Sequence, residues 1–283
     1  MENTRYDYSP ITNRKPFVLP NKAKVAFYLA VNIEHFDIGT NFGIGTPPNI
    51  YEYAPKDYGN RVGIWRLMEV LDKHNIKASV TLNSDVCDHY PIIIEEAKKR
   101  DWEFLGHGIS NSFSHLNGKS EAEERQIIST TLDVIAKATG KRPKGWLGPA
   151  LQETFDTPDI LAEYGVNYVC DWCCDDQPFP MKVKSGNLIS MPYTLDLNDI
   201  GALVRRAMTP QEFYDMVKGQ FDTLYREGTE QARVMCVSVH PFLIGLPYRI
   251  DCLDRALQYI KSHNDVWLAT SGEIANWYYE NYT

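Results

Sequence analysis

The sequence predicts an α/β fold of the distorted (β/α)7 barrel type, formed by a single domain. The first observation is length, because 283 residues suit one barrel. The second is that short apolar runs alternate with amphipathic helical segments about seven times. The third is that three apolar runs lead directly into acidic or imidazole side chains, where such folds hold their catalytic groups. Without a repeat or linker, residues 23–283 form the predicted barrel and residues 1–22 an extended arm.

The strands are predicted from continuous apolar runs, which are typical of the buried strands of a parallel sheet. In chain order these runs are residues 25–31, 78–82, 102–105, 145–147, 168–171, 188–193, 234–239 and 266–269. Between residues 38 and 60 the chain is rich in Gly, Pro, Asn and Tyr and has little periodicity. A loop of this length is usually functional, and we expect it to cover the site or contact another subunit.

The helices are predicted from apolar residues at helical spacing and from start and stop residues. Ser120 resembles the first residue of a capping box, and Pro91 suits the first position of a helix. The predicted helices are residues 63–74, a short one after Ser84, 91–100, 120–139, 156–164, 211–228, 251–263 and one beginning at 271.

Composition excludes several classes of function. The net charge of −8 argues against nucleic acid or an anionic membrane as the main partner, and no apolar run approaches the ~20 residues of a membrane span. Because the polar N-terminus lacks a signal-peptide core, we expect a cytoplasmic protein. Reduced core thiols are expected for the six cysteines, although Cys170, Cys173 and Cys174 have a spacing that resembles a metal or redox motif.

Three strand ends carry the candidate catalytic residues Glu34, His107 and His240. His107 stands between Gly106 and Gly108, which allow the backbone to approach a ligand closely. An imidazole there is suited to act as base, acid or metal ligand. For Glu34 a capping or solvated carboxylate is the alternative. We expect the three side chains to meet in one site.

Several motifs together resemble the NodB-type polysaccharide deacetylase superfamily, which adopts a distorted (β/α)7 barrel. They are residues 31–34, 58–66, the Gly-His loop at 106–107, 146–149, 192–199, 221–225, 238–241 and 245–249. The likeness is greatest to the branch that contains metal-independent allantoinase and related cyclic-imide or peptidoglycan-type deacetylases. The resemblance implies that Glu34 is the carboxylate base and His240 the general acid.

The sequence departs from the family pattern at three motifs. The Thr-Phe-Asp-Asp type motif is replaced by residues 32–37, and the His-x-x-x-His metal pair is replaced by His107 and Asn111. The Arg-x-Pro-Tyr turn reads Leu-Gly-Pro-Ala at residues 147–150. An amide oxygen is a poor transition-metal ligand compared with imidazole. We therefore expect either no cofactor or Zn²⁺ held by His107 with a carboxylate from Glu34 or Asp37.

Further side chains are candidates for substrate binding. Asn111 is suited to stabilise an oxyanion or to cap a helix, and Arg61 to neutralise a substrate carboxylate or to bind a neighbouring backbone. Asp171 and Asp176 follow a strand end and are suited to bind a ureide N–H or hold His240, or are plain turn residues. The remaining candidates are Trp146, Tyr193 and Asn198.

The predicted function is hydrolysis of a non-peptide C–N bond in a small cyclic amide, imide or ureide. One alternative is a metal-dependent N-deacetylase of an amino sugar or peptidoglycan fragment, and another is an inactive ligand-binding barrel. The substrate is expected to be a small molecule. The resemblance also implies a homo-oligomer, either a dimer or a tetramer, with the arm and the 38–60 loop at subunit contacts.

Overall fold

A computed structural model describes residues 2–39, 48–112, 116 and 118–283. The strands of these residues form one sheet in the order β6-β7-β5-β4-β3-β2-β1-β8, with β9 paired to the beginning of β1. Their bounds are β1 Val25–Ile33, β2 Ala78–Leu82, β3 Glu103–Gly106, β4 Gly145–Trp146, β5 Tyr168–Val169, β6 Phe179–Met181, β7 Leu188–Ser190, β8 Arg233–Val239 and β9 Val266–Leu268. All pairings are parallel except that of β6 with β7.

The sheet curves into a distorted (β/α)7-type barrel, as the sequence predicts. Its end strands, β6 and β8, are not paired with each other in the described part of the chain; an isolated parallel bridge joins Asn198, in the segment after β7, to Ser238 of β8 at the rim. At the opposite end, the N–H of Val234 donates to the carbonyl of Asp176 (2.8 Å). The antiparallel β6 was missed because Pro180 lies in its middle, and proline argues against a strand except at a sheet edge.

The helices surround the sheet, and those that the sequence predicts are confirmed to within a few residues. They are α1 Ile50–Tyr58, α2 Ile64–His74, α3 Asp85–His89, α4 Pro91–Lys99, α5 Glu121–Thr139, α6 Thr157–Glu163, α7 Pro210–Glu227, α8 Pro241–Ile244, α9 Ile250–Lys261 and α10 Ser271–Tyr282. The capping box at Ser120 is present, with its Oγ accepting from the N–H of Glu123. Among the described residues, every helix is too short or too polar to cross a bilayer.

The predicted loop 38–60 is wrong for its second half. Residues 50–58 form α1, which begins where the side chain of Asn49 accepts from the N–H of Glu52 (3.2 Å). A π-helical turn over residues 59–63 then continues into α2. The mixture of Pro, Asn and Tyr obscured the helical pattern. Residues 40–47 of the predicted loop lie outside the described residues.

Residues 2–22 run along the barrel and are attached at several points. Arg5 forms an ion pair with Asp159 of α6 (3.0 Å), and the N–H of Val18 donates to the hydroxyl of Tyr282 in α10 (2.6 Å). A division between arm and barrel at residue 22 stays a prediction.

Gly63 allows the turn before α2 to pack directly on the segment that follows His240. A Cβ at Gly63 would lie 2.1 Å from the carbonyl oxygen of Pro241, which is a rigid main-chain atom. We therefore expect Gly63→Ala to lower the free energy of unfolding by about 1–3 kcal/mol. Gly219→Ala in α7 is the matched control, because no atom lies within 4 Å of its Cβ position; there we expect a gain of about 0.4–1 kcal/mol. Urea denaturation of both variants tests this, and equal effects would contradict it.

Candidate active site

The alternation of side chains along β1 and β8 places the candidate residues inside the barrel. In β1, residues 26, 28 and 30 pack in the interior cluster, whereas residues 25, 27, 29, 31 and 33 pack under the helices. Glu34 continues the interior series because successive strand residues face opposite sides. His240 continues the interior series of β8 in the same way, after residues 234 and 236, and His107 follows Leu105 of β3.

The side chains of His107, His240 and Asn111 converge on one carboxylate oxygen of Glu34. Oε1 of Glu34 lies 3.3 Å from Nε2 of His107 and 3.7 Å from Nε2 of His240. Nδ2 of Asn111 donates to the same oxygen at 2.6 Å. Glu34, His107 and His240 expose only 6, 2 and 3% of their surfaces. Oε2 of Glu34 is also buried, and it has no hydrogen-bond partner among the described residues.

His240 is held by Asp199 from the side opposite Glu34. Its Nδ1 lies 2.6 Å from one carboxylate oxygen of Asp199, and its main-chain N–H donates to the other (2.8 Å). Asp199 is completely buried. Since a carboxylate accepts a hydrogen bond, Nδ1 carries a proton and Nε2 is directed toward Glu34. The sequence pointed to the neighbouring Asn198, which instead donates to Ser238 Oγ (3.2 Å).

His107 is oriented by a main-chain group. Its Nδ1 lies 2.6 Å from the carbonyl oxygen of Leu147, which can only accept. Nδ1 therefore carries a proton, and Nε2 faces Glu34. Leu147 directly follows β4, so the position of His107 depends on the end of the neighbouring strand.

Asn83 is a member of the site that the sequence did not reveal. It is buried at the end of β2, accepts from the N–H of His35 (3.0 Å), and donates to the carbonyl of His107 and to Oδ1 of Asn111 (3.0 Å). Its position directly after a buried strand was the available signal. Asparagine is also common in turns, so that signal alone did not distinguish a functional residue.

The carboxylates and imidazoles of the site favour each other's charged forms. Burial alone would raise the pKa of Glu34, but the nearby His240 and the hydrogen bonds from His107 and Asn111 outweigh it and lower that pKa. Burial likewise favours neutral His240, but the adjacent Asp199 and Glu34 carboxylates outweigh it and raise the His240 pKa. Between the ordinary pKa values of 4.5 and 6.5 the site therefore favours ionised Glu34 beside protonated His240.

Asp171 lies at the edge of this group. Its Oδ1 accepts from the main-chain N–H of Gly148 (2.8 Å). Burial raises the pKa of Asp171 to about 6. The nearby His107 acts to lower the pKa of Asp171. Burial and the nearby Asp171 charge raise the pKa of Glu153 well above its usual range.

Four other predicted residues lie apart from this group. Trp146 is completely buried in the core, where a Cβ on Gly106 would lie 2.6 Å from its ring. The hydroxyl of Tyr193 bonds to Ser238, two residues below His240 in the barrel interior. Arg61 is 74% exposed and faces Asp57 (3.6 Å). Asp176 lies at the beginning of β8, roughly 20 Å along the strand from His240.

The donor set does not fit the zinc ion that the fold family implies. Asp37, the carboxylate expected beside His107, lies 3.6 Å from the ring of His35. Asn111 presents its N–H₂ group to Glu34, and a cation requires a lone pair instead. Across residues 2–39, 48–112, 116 and 118–283, no three His, Cys, Asp or Glu side chains are arranged to hold a metal ion. This includes Cys170, Cys173 and Cys174, which are free thiols.

Comparisons with known proteins agree with this fold. Residues 55–169 match the family model described as "Polysaccharide deacetylase". A protein from Schizosaccharomyces pombe that carries the name of a polysaccharide deacetylase is 27% identical over 90% of both chains. A "Peptidoglycan deacetylase" from Helicobacter pylori is 20% identical over 77% of this chain and 84% of its own. The crystal structure of PuuE allantoinase superposes with a TM-score of 0.87 at 24% identity, covering 98% of this chain and 99% of the other.

Proposed function

We propose, on the premise that this chain carries a polysaccharide deacetylase domain, that it hydrolyses the C–N bond of a small cyclic amide, imide or ureide. Family members act on C–N bonds. The observation that carries the proposal is the meeting of Glu34 with the Asp199-backed His240 in a buried site whose donor set does not suit zinc. Because Glu34, His107 and His240 expose only 6, 2 and 3% of their surfaces, a small ring suits the site better than a polymer. The fold shared with allantoinase supports a ureide ring as the substrate.

In the first step Glu34 acts as general base. Its Oε1 is occupied by donors, whereas the free Oε2 is suited to accept a proton from a water molecule. The water oxygen then bonds to the carbonyl carbon, and negative charge develops on the carbonyl oxygen. We assign the second N–H of Asn111 to this oxyanion. The main-chain N–H of His107, another candidate, already donates to the carbonyl of Leu82 (3.0 Å).

In the second step His240 acts as general acid. The C–N bond breaks, the electron pair goes to nitrogen, and Nε2–H of His240 protonates that nitrogen. Glu34 then holds the water proton while His240 is neutral. Oε1 and Nε2 are 3.7 Å apart, beyond direct hydrogen-bond distance, so a water molecule carries the proton from Glu34 back to Nε2 of His240 and restores the starting charges.

The proposal is tested by incubating the purified protein with allantoin and a panel of hydantoins and cyclic imides, with and without a chelator. We expect ring opening of at least one compound at a rate that the chelator leaves unchanged. Failure to open any ring would contradict the proposal. Binding without turnover, seen by calorimetry, would instead identify an inactive binding barrel.

Metal-dependent deacetylation of an amino sugar or peptidoglycan fragment is the second candidate. It is favoured by the family model and by the name of the Helicobacter pylori relative. Elemental analysis of the purified protein distinguishes the two functions. A stoichiometric zinc ion together with release of acetate from N-acetylated sugars would establish deacetylation, and would contradict the assignment of the site as free of metal.

The pH dependence of kcat/KM follows from the two charges. Glu34 must be ionised and its pKa is lowered, so activity is lost only below its ordinary value of 4.5. His240 must be protonated and its pKa is raised, so activity persists above its ordinary value of 6.5. We therefore expect a broad plateau that includes both values and falls on either side. An increase in kcat/KM between pH 5 and 7 would show that an imidazole acts as base instead.

We further propose that the protein works in the cytoplasm as a homo-oligomer, a dimer or a tetramer. The exposed side chain of Tyr8 in the arm supports a subunit contact. Light scattering coupled to size exclusion measures the assembly, and a monomer would contradict the proposal.

A further inference from the structure

We propose that Asn83 is a positioning residue of the site, which acts through Asn111 to keep a hydrogen-bond donor on Glu34. This inference rests on the proposed function for its catalytic meaning. Its structural basis is a chain of hydrogen bonds that begins at two main-chain groups and ends at the carboxylate. Asn83 is completely buried, so its partners are those that the surrounding protein supplies.

The orientation of the Asn83 amide is fixed by groups that cannot reverse their roles. The N–H of His35 can only donate, so the atom of Asn83 that faces it at 3.0 Å is the oxygen. The carbonyl of His107 can only accept, so the atom that faces it is the nitrogen. The two constraints agree. Because His35 follows β1 and His107 follows β3, Asn83 at the end of β2 joins three adjacent strand ends.

This orientation determines which end of Asn111 faces the catalytic carboxylate. The nitrogen of Asn83 donates to Asn111 at 3.0 Å, so the atom of Asn111 on that side is Oδ1. Its Nδ2 is consequently turned toward Glu34, to which it donates at 2.6 Å. The amide oxygen, which could have ligated a cation, points away from the site.

For catalysis, the consequence is that the two oxygens of Glu34 have different roles. A charge-assisted hydrogen bond from Asn111 favours the ionised form and holds the plane of the carboxylate. With Oε1 occupied, Oε2 is left for the water. A cation at this position would also stabilise the carboxylate, and the Asn83–Asn111 pair supplies an uncharged donor in its place.

Asn83→Asp tests the inference because it changes one nitrogen to oxygen at nearly constant shape. Residue 83 can still accept from the N–H of His35, but it no longer donates to Asn111. We expect the Asn111 amide to rotate and present its oxygen to Glu34. The titration midpoint of Glu34, followed by the carbon-13 shift of its carboxyl group and assigned with Glu34→Gln, should then rise by about 1–2 pH units.

A double-mutant cycle separates this route from the direct effect of the new charge. The same Asn83→Asp change is made in an Asn111→Ala background, where the added charge and the lost bond to the His107 carbonyl remain but the route through Asn111 does not. We expect the shift in that background to be clearly smaller than in the wild-type background. Equal shifts in both backgrounds, or no shift in either, would overturn the proposal. Asn281→Asp, at an exposed position in α10, is the control for an added charge and should leave Glu34 unchanged.

The experiment includes a replacement variant and a readout that does not depend on substrate. If Asn83→Asp does not fold, Asn83→Ala replaces it in the same cycle and is read by the same criterion. The titration needs no substrate, so its outcome is independent of whether the protein opens any ring. A normal Glu34 shift with no turnover would contradict the proposed function alone.

Discussion

Replacing Glu34 by glutamine is expected to lower kcat/KM by about 10²–10⁴-fold, the usual contribution of a general base. Glutamine keeps the size of the side chain and can accept from Asn111, but it cannot take a proton from water at its free position. The loss should be in kcat, because the carboxylate acts on the water and not on binding of the ring. Steady-state kinetics on the ring substrate identified in the panel measure both constants.

Asp37→Asn is the matched control for this substitution. Asp37 lies three residues further on, is half exposed, and faces the ring of His35. Its amide variant should retain activity within a few fold. A Glu34→Gln protein with more than a tenth of wild-type kcat/KM would show that another group activates the water.

Asp199→Asn is expected to have the second large effect, a loss of about 10²–10⁴-fold in kcat/KM. The carboxylate accepts from both Nδ1 and the main-chain N–H of His240, and one amide oxygen cannot replace both acceptors. If the amide nitrogen turns to Nδ1, the ring loses the proton there and with it the stabilised positive charge. The alkaline fall of the pH profile should therefore move to lower pH as well as the rate falling.

The control for the second substitution is Asp196→Asn, because Asp196 lies three residues earlier, is exposed, and pairs with Arg206 (3.2 Å). It should leave both the rate and the pH profile unchanged. If Asp199→Asn lowered the rate without moving the alkaline limb, Asp199 would serve packing and not the charge of His240.

The positions of the three main catalytic candidates could be predicted because strand geometry determines them. Successive side chains of a strand face opposite sides of the sheet. An apolar run that ends at Glu34 or His240 therefore indicates which side of the sheet that residue faces. Parallel strands bring their C-terminal ends to one rim, which explains why residues far apart in the chain meet. The fold follows from the same regularity, together with capping residues such as Ser120.

The partners of those residues could not be predicted in the same way. Asp199 and Asn198 are neighbours at the end of one motif, and only the turn of the backbone after Thr194 decides which reaches His240. Composition alone also gave no means of distinguishing Trp146, which fills the core, from an aromatic wall of the site. The prediction for Asp176 was wrong because this residue lies beside the beginning of β8. Six residues of that strand separate its beginning from His240.

The proposed mechanism depends on which groups of the site carry protons, and neutron diffraction from deuterated crystals near pH 6 locates those protons. We expect deuterium on both ring nitrogens of His240, none on Glu34, and the nitrogen of Asn111 facing Oε1. Deuterium on Glu34 beside a neutral His240, or an ion between them, would contradict it.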